Sequence, residues 1–447
     1  MTDLRERVND VMPGVLDDLA ALVAIPSVSS MPEHHPDVRA SAAAVAALAA
    51  GLGFPDVRIV AEGGQPAVIA RFPAPEGAPT VCLYAHHDVQ PTGDLSLWTS
   101  DPFQATRRGD RLYGRGVVDD KAGIAVHLAA LRAFDGRPPV GVTLFVEGEE
   151  EIGSGSLATI MERHAGLLAA DVYVICDSGN WRVGTPSFTT ALRGLVDLVV
   201  EVRTLDHALH SGQYGGAAPD ALTTLVRLLA TLHDEDGDVA VAGLVSAEPF
   251  ALDYPAERLR AETGVLDGVE FTGTGPIADR LWGRPSVTVL AVDATSIANA
   301  SNTLAPSARA KVSMRIAPNQ DPDLALDALR RHLRDHAPFG AHVSFHGGET
   351  GWGTVVPSTG PVASAATEVY AQAWGDDVVE MGQGGSIPMV ADFQRAFPNA
   401  EVLVVGVVDP DSRMHGIDES VDLGDLARAG LAEAMLLERL GRARSTG

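Results

Sequence analysis

Residues 147–154 place three consecutive carboxylates, Glu149 to Glu151, directly after an apolar run at residues 140–146. The apolar run has the composition of a strand buried on both faces, as in a parallel sheet covered by helices. Carboxylates at the end of such a strand repel one another unless a positive charge lies beside them. An acidic loop that faces water is the alternative interpretation. Because open α/β sheets bind ligands at the carboxyl ends of their strands, the segment predicts a bound metal there.

Length and charge narrow the class of protein. A chain of 447 residues exceeds what one hydrophobic core usually supports, so we expect two domains. The formal net charge of −26 argues against partners such as nucleic acid or an anionic membrane surface. No apolar stretch reaches the roughly 20 residues that a bilayer crossing needs, and residues 1–25 have helical spacing instead of a signal-peptide pattern. We therefore expect a cytoplasmic protein.

The two cysteines, Cys82 and Cys176, each lie in an apolar, strand-like run just before polar residues. Neither the number nor the setting of these cysteines indicates a disulfide framework. We expect both to be buried thiols.

The first part of the chain predicts an α/β fold. Residues 1–189 alternate helical patterns with short apolar runs, which is typical of a mostly parallel sheet with helices on both faces. The same character returns near the end of the chain, with a buried strand at residues 401–408 and a closing helix at residues 425–440. Residues 1–189 and 350–447 are therefore expected to form one domain.

The middle of the chain has a different pattern. Residues 195–202 and 311–316 alternate apolar and charged positions, as antiparallel strands with one wet face do. Amphipathic helical patterns occur at residues 219–233 and 323–336. Residues 190–349 are therefore expected to form a smaller, inserted α+β domain, joined through hinges near residues 190 and 350.

Potential metal ligands follow several of the predicted strands. The polar residues at these strand ends are His86 with Asp88, Asp177 and His415, and the pair Asp119–Asp120 precedes a helix. The carboxyl ends of parallel strands meet at one edge, so these side chains supply the mixed nitrogen and oxygen set that zinc, cobalt or manganese accept. For Asp119 and Asp120 the alternative is helix capping. Strand alternation points His87 away from His86, so His87 is expected to be structural or to face solvent.

Four motifs carry a family resemblance: residues 84–91, 114–123, 147–154 and 209–216. Their joint occurrence, in order, is similar to the co-catalytic dizinc peptidase family. That family includes aminoacylases, succinyl-diaminopimelate desuccinylases and carnosine dipeptidases. The Val-Gln-Pro at residues 89–91 and the sequence Gly-Gly-Ser-Ile-Pro at residues 384–388 look most like the dipeptidase branch.

The resemblance implies a site with two Zn²⁺ ions per chain, for which Mn²⁺ or Co²⁺ are alternatives. In that family a carboxylate bridges the metals, and a glutamate acts as general acid and base on a metal-bridging hydroxide. The implied roles are His86 and Asp177 on one metal, Glu151 and His415 on the other, Asp119 as the bridge, Asp88 orienting His86, and Glu150 as the acid and base. The resemblance also implies a cis peptide bond between Asp119 and Asp120. Glu149 lies at a variable position of the family motif and is expected to be structural or to face solvent.

The resemblance gives the inserted domain the roles of a lid and a dimerisation domain. His210 is implied to act across the interface of a homodimer, in the active site of the neighbouring subunit. The residues implied to bind the small peptide substrate are Asn302, Thr303, Arg315, His346, Gly385 and Ser386. Gly382 and Gln383 replace the arginine and glutamate of many dipeptidase relatives, which puts the substrate preference in doubt.

The resulting hypothesis is a metallopeptidase that cleaves dipeptides or short peptides with a free C-terminal carboxylate. An enzyme of the same fold that acts on N-acyl- or N-carbamoyl-amino acids is the nearest alternative. A metal-retaining, non-catalytic binding protein is a more remote alternative, and the retention of Glu150 and His210 argues against it.

Overall fold

A computed structural model describes residues 3–385 and 387–443 of the chain. The helices are α1 (Leu4–Val23), α2 (His35–Gly51), α3 (Lys121–Arg132), α4 (Leu157–Arg163), α5 (Ala165–Leu168), α6 (Ser211–Tyr214), α7 (Ala221–Ala230), α8 (Ala256–Thr263), α9 (Pro322–Asp335), α10 (Pro361–Trp374), α11 (Pro388–Ala396) and α12 (Leu423–Ala443). The strands are β1 (Asp56–Val60), β2 (Ala67–Phe72), β3 (Thr80–His86), β4 (Thr106–Arg108), β5 (Arg111–Tyr113), β6 (Gly141–Glu147), β7 (Val172–Gly179), β8 (Ser187–Leu192), β9 (Gly194–Arg203), β10 (Leu209–His210), β11 (Ser286–Asp293), β12 (Thr303–Leu304), β13 (Ser307–Ile316), β14 (His342–His346), β15 (Thr350–Gly351), β16 (Thr354–Val355), β17 (Val379–Gln383), β18 (Glu401–Val408) and β19 (Ser420–Asp422).

The described residues form two compact units. The first unit comprises Met1–Thr190, Val356–Met381 and Met389–Gly447, and the second comprises Ala191–Val355 with Gly382–Pro388. The segment Gly382–Pro388 thus groups with the second unit, whereas the sequence analysis assigned it to the first domain. The reason is local packing, since Arg193 donates a hydrogen bond to the carbonyl of Gly384 over 3.2 Å.

The first unit is built on a six-stranded sheet with the order β1-β2-β6-β3-β7-β18. The strands β6, β3, β7 and β18 pair in parallel, while β2 pairs antiparallel with both of its neighbours. All strands except β2 therefore run in the same direction. Every residue of β6 is buried, as is every residue of β3 after Thr80, which explains their nearly continuous apolar sequences.

Helices cover both faces of this sheet. On one face, the side chains of Val81, Leu83 and Ala85 join the core formed with α1, α3 and α12. On the other face, Tyr173 and Phe393 of α11 pack with their ring centroids 4.6 Å apart. The predicted mostly parallel α/β fold is confirmed.

The second unit contains a five-stranded antiparallel sheet with the order β11-β13-β9-β14, to which β15 adds by pairing with β9. Alternate residues of β13 are buried, and these join the core formed with α7 and α9. The edge strand β11 lacks this alternation, and its apolar residues Val289, Leu290 and Val292 are exposed. The second unit therefore has the α+β composition that the alternating sequence pattern predicted.

Two further expectations concern helices and thiols. Within residues 3–385 and 387–443, none of the helices combines the length and apolar composition required to cross a membrane. Cys82 and Cys176 are buried free thiols, as expected.

A buried ion pair in the first unit makes its stability depend on pH. The Nδ1 atom of His127 lies 2.8 Å from Oε2 of Glu433, and its Nε2 atom lies 3.0 Å from the carbonyl oxygen of Tyr84. Burial opposes protonation of His127, but the charge and hydrogen bond of Glu433 raise the pKa of His127 above 6.5. A raised folded-state pKa contributes stability below the unfolded pKa, and this contribution disappears as pH rises through the folded pKa.

We expect His127→Gln to lower the thermal unfolding midpoint of the metal-free protein, because breaking a buried ion pair costs about 3–5 kcal/mol. The loss should be largest near pH 5.5 and should shrink towards pH 9. His332→Gln is the matched control with the opposite trend, since burial and His336 lower the pKa of His332. Calorimetry with a chelator present measures both; a His127→Gln loss that stays constant or grows with pH would contradict the assignment.

Candidate functional site

The parallel strands of the first unit bring polar side chains to one edge of the sheet. His86 is the last residue of β3 and lies opposite Glu147, the last residue of β6. Asp177 lies near the end of the neighbouring strand β7. The order of the strands therefore brings the strand-end residues to one edge of the sheet, as the sequence predicted.

One cluster at this edge surrounds His86. Its Nε2 atom lies 3.1 Å from Oδ1 of Asp119 and 3.9 Å from Oδ1 of Asp177. His86, Asp120 and Asp177 also offer one ligand atom each within 4.8 Å of one another. This cluster has a donor set that suits a divalent metal ion.

A second cluster surrounds His415, which follows β18 in the chain. Its Nε2 atom lies 2.7 Å from Oδ2 of Asp119 and 3.3 Å from Oε2 of Glu151. The ligand atoms of Asp119, Glu151 and His415 lie within 4.8 Å of one another. The two oxygens of Asp119 thus face different histidines, which is the geometry that a bridging carboxylate needs.

Asp120 has a different environment from Asp119. Its carboxylate accepts hydrogen bonds from the backbone N–H of His86 and of Gly123, each over 3.2 Å, and it caps α3. The capping alternative therefore applies to Asp120. The peptide bond between Asp119 and Asp120 is cis, which confirms the expectation from the family resemblance.

Asp88 connects His86 with the acidic segment. The Nδ1 atom of His86 lies 3.1 Å from the backbone carbonyl oxygen of Asp88 and 3.4 Å from its Oδ1 atom. The Asp88 carboxylate also accepts hydrogen bonds from the backbone N–H groups of Glu150 and Glu151, each over 3.2 Å. Asp88 therefore fixes the backbone on which both glutamates are carried.

Glu151 shows that the residues present fit a cation. Its Oε2 atom accepts a hydrogen bond of 2.8 Å from the side chain of Gln90. Its Oε1 atom is buried and accepts no hydrogen bond among the described residues. An unpaired buried carboxylate oxygen is costly in an apolar setting, and a metal ion would satisfy it.

The protonation properties of the cluster reflect crowded negative charge. Burial, together with Glu150, Asp120 and Asp119, raises the pKa of Asp177 well above 3.8, although the positive charge of His86 opposes this. Hydrogen bonds to Asp119 and Glu151 raise the pKa of His415 to about 10. Both pKa shifts favour the protonated form in response to crowded negative charge, and bound cations would offset the same charge.

Glu150 has the properties of a proton-transfer group. Burial raises its pKa to about 8, and the negative charges of Glu151 and Asp119 add to this against the opposing charge of His86. An acid or base is most effective when its pKa is close to the working pH.

His87 and Glu149 were expected to be either structural or solvent-facing. Both are buried and structural. His87 is buried with its Nε2 atom 2.9 Å from the carbonyl oxygen of Pro66, and burial lowers its pKa to about 4. Glu149 is also buried, and its carboxylate accepts hydrogen bonds from the backbone N–H groups of Gln65 and Ser156. The interpretation of residues 149–151 as a loop facing water is therefore wrong for Glu149.

In the second unit, His210 lies together with two of the predicted substrate residues, Asn302 and Thr303. His210 pairs with Thr303 between the short strands β10 and β12. The backbone N–H of Ser211 donates a 2.9 Å hydrogen bond to the carbonyl oxygen of Asn302. The side chain of His210 is exposed, and its Nδ1 atom accepts a hydrogen bond from the backbone N–H of Gly212.

Arg315 lies on β13 beside a second arginine. It is opposite Ser286 in the sheet, and Ser286 Oγ accepts a 3.0 Å hydrogen bond from Arg193. Burial, followed by the charge of Arg315, lowers the pKa of Arg193 to about 10. Arg193 also binds the carbonyl of Gly384, next to the exposed Gly385.

The other predicted substrate residues are placed elsewhere or not described. His346 lies on β14, which pairs with the edge of β9 opposite to β13. Its Nε2 atom lies 3.1 Å from Oε2 of Glu201. Ser386 lies outside the described residues.

The presence of Gly382, where many dipeptidase relatives have arginine, has a steric reason. A Cβ atom at this position would lie 2.4 Å from Cβ of Trp282, so no side chain fits against that ring. The arginine of many dipeptidase relatives could not occupy this position without moving Trp282.

Several residues with contacts at these sites were not among the predicted site residues. They include Gln90, which bonds Glu151; Arg193, which bonds Gly384; and Glu419, which accepts a hydrogen bond from the N–H of Asp119. Gln90 continues the alternation of His86 and Asp88, so its position two residues further on was a usable signal. Arg193 and Glu419 contact partners that are distant in sequence, and no local pattern marks them.

The sequence and the fold both have known relatives. Residues 82–439 match the family described as Peptidase family M20/M25/M40. The chain is 34% identical over 437 residues to a cysteinylglycine-S-conjugate dipeptidase of Corynebacterium striatum, covering 96% of each protein. It is 26% identical over 465 residues to a Cys-Gly metallodipeptidase of Saccharomyces cerevisiae, covering 95% of each.

Among solved structures, the dipeptidase Dug1p of Saccharomyces cerevisiae has the same fold, with a TM-score of 0.81, 24% identity and coverage of 98% of each chain. The family match spans the strand ends, the acidic segment and the loop of His415. This chain therefore belongs to peptidase family M20/M25/M40.

Proposed function

We propose that this enzyme hydrolyses the amide bond of dipeptides that have a free C-terminal carboxylate, in a reaction that depends on two metal ions. The observation that carries the proposal is the position of Asp119, whose two oxygens face His86 and His415 at 3.1 and 2.7 Å. Glu150 lies in the same buried acidic cluster with a pKa of about 8.

Two groups of residues would hold the metals. We assign His86 and Asp177 to one ion, Glu151 and His415 to the other, and Asp119 to both. Zinc suits this set of imidazole and carboxylate ligands, and manganese or cobalt are also compatible with it. When bound, two such ions acidify a water molecule and polarise the scissile carbonyl.

Glu150 takes the proton of the attacking water and passes it to the leaving amine. Its raised pKa allows it to hold that proton between the two transfers at neutral pH. Asp88 supports this role because it accepts hydrogen bonds from the backbone of Glu150 and Glu151.

The substrate class follows from the relatives and from the second unit. The relatives are named as dipeptidases acting on cysteinylglycine S-conjugates and Cys-Gly, so dipeptides with C-terminal glycine are the first substrates to examine. Arg315 would bind the terminal carboxylate, because a planar guanidinium pairs with a carboxylate through two hydrogen bonds. Asn302, Thr303, His346, Gly385 and Ser386 are assigned to substrate binding on the family resemblance.

We further propose a homodimer in which His210 acts in the partner's active site. The edge strand β11 exposes Leu290 at 57% of its surface, and nearby Ile297 is 96% exposed. An apolar edge strand is a surface that pairs readily with a second copy.

A cytoplasmic location stays a prediction.

The metal assignment predicts the effect of Asp119→Ala. Removing a carboxylate shared by both ions should lower the content of tightly bound metal from two equivalents to below one per chain and remove most activity. Asp120→Asn is the comparison, since Asp120 caps α3 but also offers an oxygen to the His86 cluster; if Asp119 is the shared ligand, Asp120→Asn should retain both metals. Elemental analysis after gel filtration measures the content; two equivalents in Asp119→Ala would refute the shared ligand.

The proton-transfer role predicts that Glu150→Gln lowers kcat by at least roughly 10² while metal content stays unchanged. The assay uses cysteinylglycine and other dipeptides beside acetyl-, succinyl- and carbamoyl-glycine. The wild-type enzyme should prefer the dipeptides. If the wild-type enzyme prefers an acylated or carbamoylated amino acid, the amidohydrolase alternative replaces the dipeptidase proposal. A normal kcat in Glu150→Gln would exclude Glu150 as the base.

The dimer proposal predicts complementation between two inactive variants. Mixing His210→Ala chains with Glu150→Gln chains should recover roughly a quarter of the wild-type activity, because half of the dimers would then contain one intact site. Mass spectrometry of differently labelled chains verifies that subunits exchange. Absence of recovery despite exchange would place His210 outside the partner's site.

A further inference from the structure

A buried ion pair lies between the loops that carry Asp119 and His415. Arg115 is 1% exposed and Glu419 is fully buried. The Nη1 atom of Arg115 lies 2.5 Å from Oε2 of Glu419. Both residues belong to the first unit, and neither is among the groups that could hold a metal ion.

Arg115 contacts the backbone of the loop that carries His415. Its Nη2 atom donates hydrogen bonds to the carbonyl oxygens of His415 and Gly416, over 3.1 and 3.0 Å. The backbone of His415 is left-handed, with φ of 61°, which is unfavourable for a residue other than glycine. The two hydrogen bonds from Arg115 therefore stabilise a loop conformation that the sequence of the loop does not favour by itself.

Glu419 contacts the backbone of the loop that carries Asp119. Its Oε2 atom accepts a hydrogen bond of 3.0 Å from the N–H of Gly116. Its Oε1 atom accepts hydrogen bonds from the N–H groups of Val118 and Asp119, over 3.0 and 3.3 Å. With these donors and Arg115, both oxygens of Glu419 are occupied, so the carboxylate is not available as a ligand.

A continuous set of contacts therefore joins the backbone of Asp119, through Glu419 and Arg115, to the backbone of His415. The side chains of Asp119 and His415 are 2.7 Å apart at their nearest atoms. A shift of either loop would change this separation directly, because each side chain has a short reach from its backbone.

We propose that Arg115 and Glu419 are positioning residues for the second metal cluster, which fix the distance between Asp119 and His415. This inference rests on the proposed function for the identity of the cluster as a metal site. Neither residue touches the substrate in this proposal. Partners that orient metal ligands typically change metal affinity by about 10- to 100-fold when they are mutated.

The chain offers a matched control that separates positioning from general stability. Arg111 forms a second ion pair between the same two segments, with its Nη2 atom 2.9 Å from Oδ2 of Asp409. Its other hydrogen bonds go to Ser412 and Ser420, so this pair anchors the same loop as His415 but makes no hydrogen bond to the backbone of Asp119, His415 or Gly416. Disrupting this pair should weaken the attachment of the loop in general while leaving the direct contacts to the backbone of Asp119 and His415 in place.

The experiment titrates metal-free protein with Co²⁺ and records both the calorimetric affinity and the visible absorption of the bound ion. The variants are Glu419→Gln, Arg115→Lys and the control Asp409→Asn, each with its thermal midpoint measured in the metal-free state. We expect Glu419→Gln to bind the second Co²⁺ about 10- to 100-fold more weakly, with an altered absorption spectrum. Arg115→Lys should show a smaller loss of the same kind, and Asp409→Asn should retain wild-type affinity and spectrum.

Affinity and spectrum within twofold of wild type in both Glu419→Gln and Arg115→Lys would overturn the proposal. So would an equal loss in Asp409→Asn at a matched decrease in thermal midpoint, because the effect would then be one of general stability. If Glu419→Gln does not fold, Arg115→Lys, which keeps the positive charge, decides the question. Wild-type protein that binds two Co²⁺ ions but cleaves no dipeptide would overturn the proposed function alone.

Discussion

Mutual repulsion among the carboxylates at one edge of the sheet is the constraint on which the site depends. Parallel strands β6 and β7, on either side of β3, deliver Glu150, Glu151 and Asp177 to the same edge, and the turn before α3 adds Asp119. Burial raises the pKa of Asp177 and of Glu150, so the fold holds these groups where water cannot stabilise their charge. Bound cations would offset this repulsion, and in the proposed function they leave Glu150 to exchange protons.

Around that cluster, further buried carboxylates accept hydrogen bonds from backbone N–H groups. Asp88 and Glu149 accept backbone N–H groups from the acidic segment and its neighbours, and Asp120 caps α3. These hydrogen bonds hold the carboxylates of Asp88 and Glu149 to the backbone, whereas Asp120 caps α3 and also offers an oxygen to the His86 cluster. The acidic residues of the motif thus divide into groups that shape the backbone and groups with a free coordinating face.

The sequence predicted the sheet and the meeting of its strand ends because buried parallel strands have nearly continuous apolar sequences, as in β3 and β6. The cis bond after Asp119 was accessible only through family resemblance, since no local pattern indicates it. The contacts of Arg115 and Glu419 could not be predicted, because the two residues are 304 positions apart. The burial of Glu149 was missed for the same reason, since one of its donors, Gln65, is 84 positions away.

The most direct measurement of the central claim is anomalous diffraction at the zinc edge from crystals of the zinc-loaded enzyme. If Asp119 is the shared ligand, two anomalous peaks per chain should appear, each about 2.0–2.2 Å from a different oxygen of Asp119. One peak should also contact His86 and Asp177, and the other should contact Glu151 and His415. A single peak, or two peaks that share Asp120 in place of Asp119, would contradict the account.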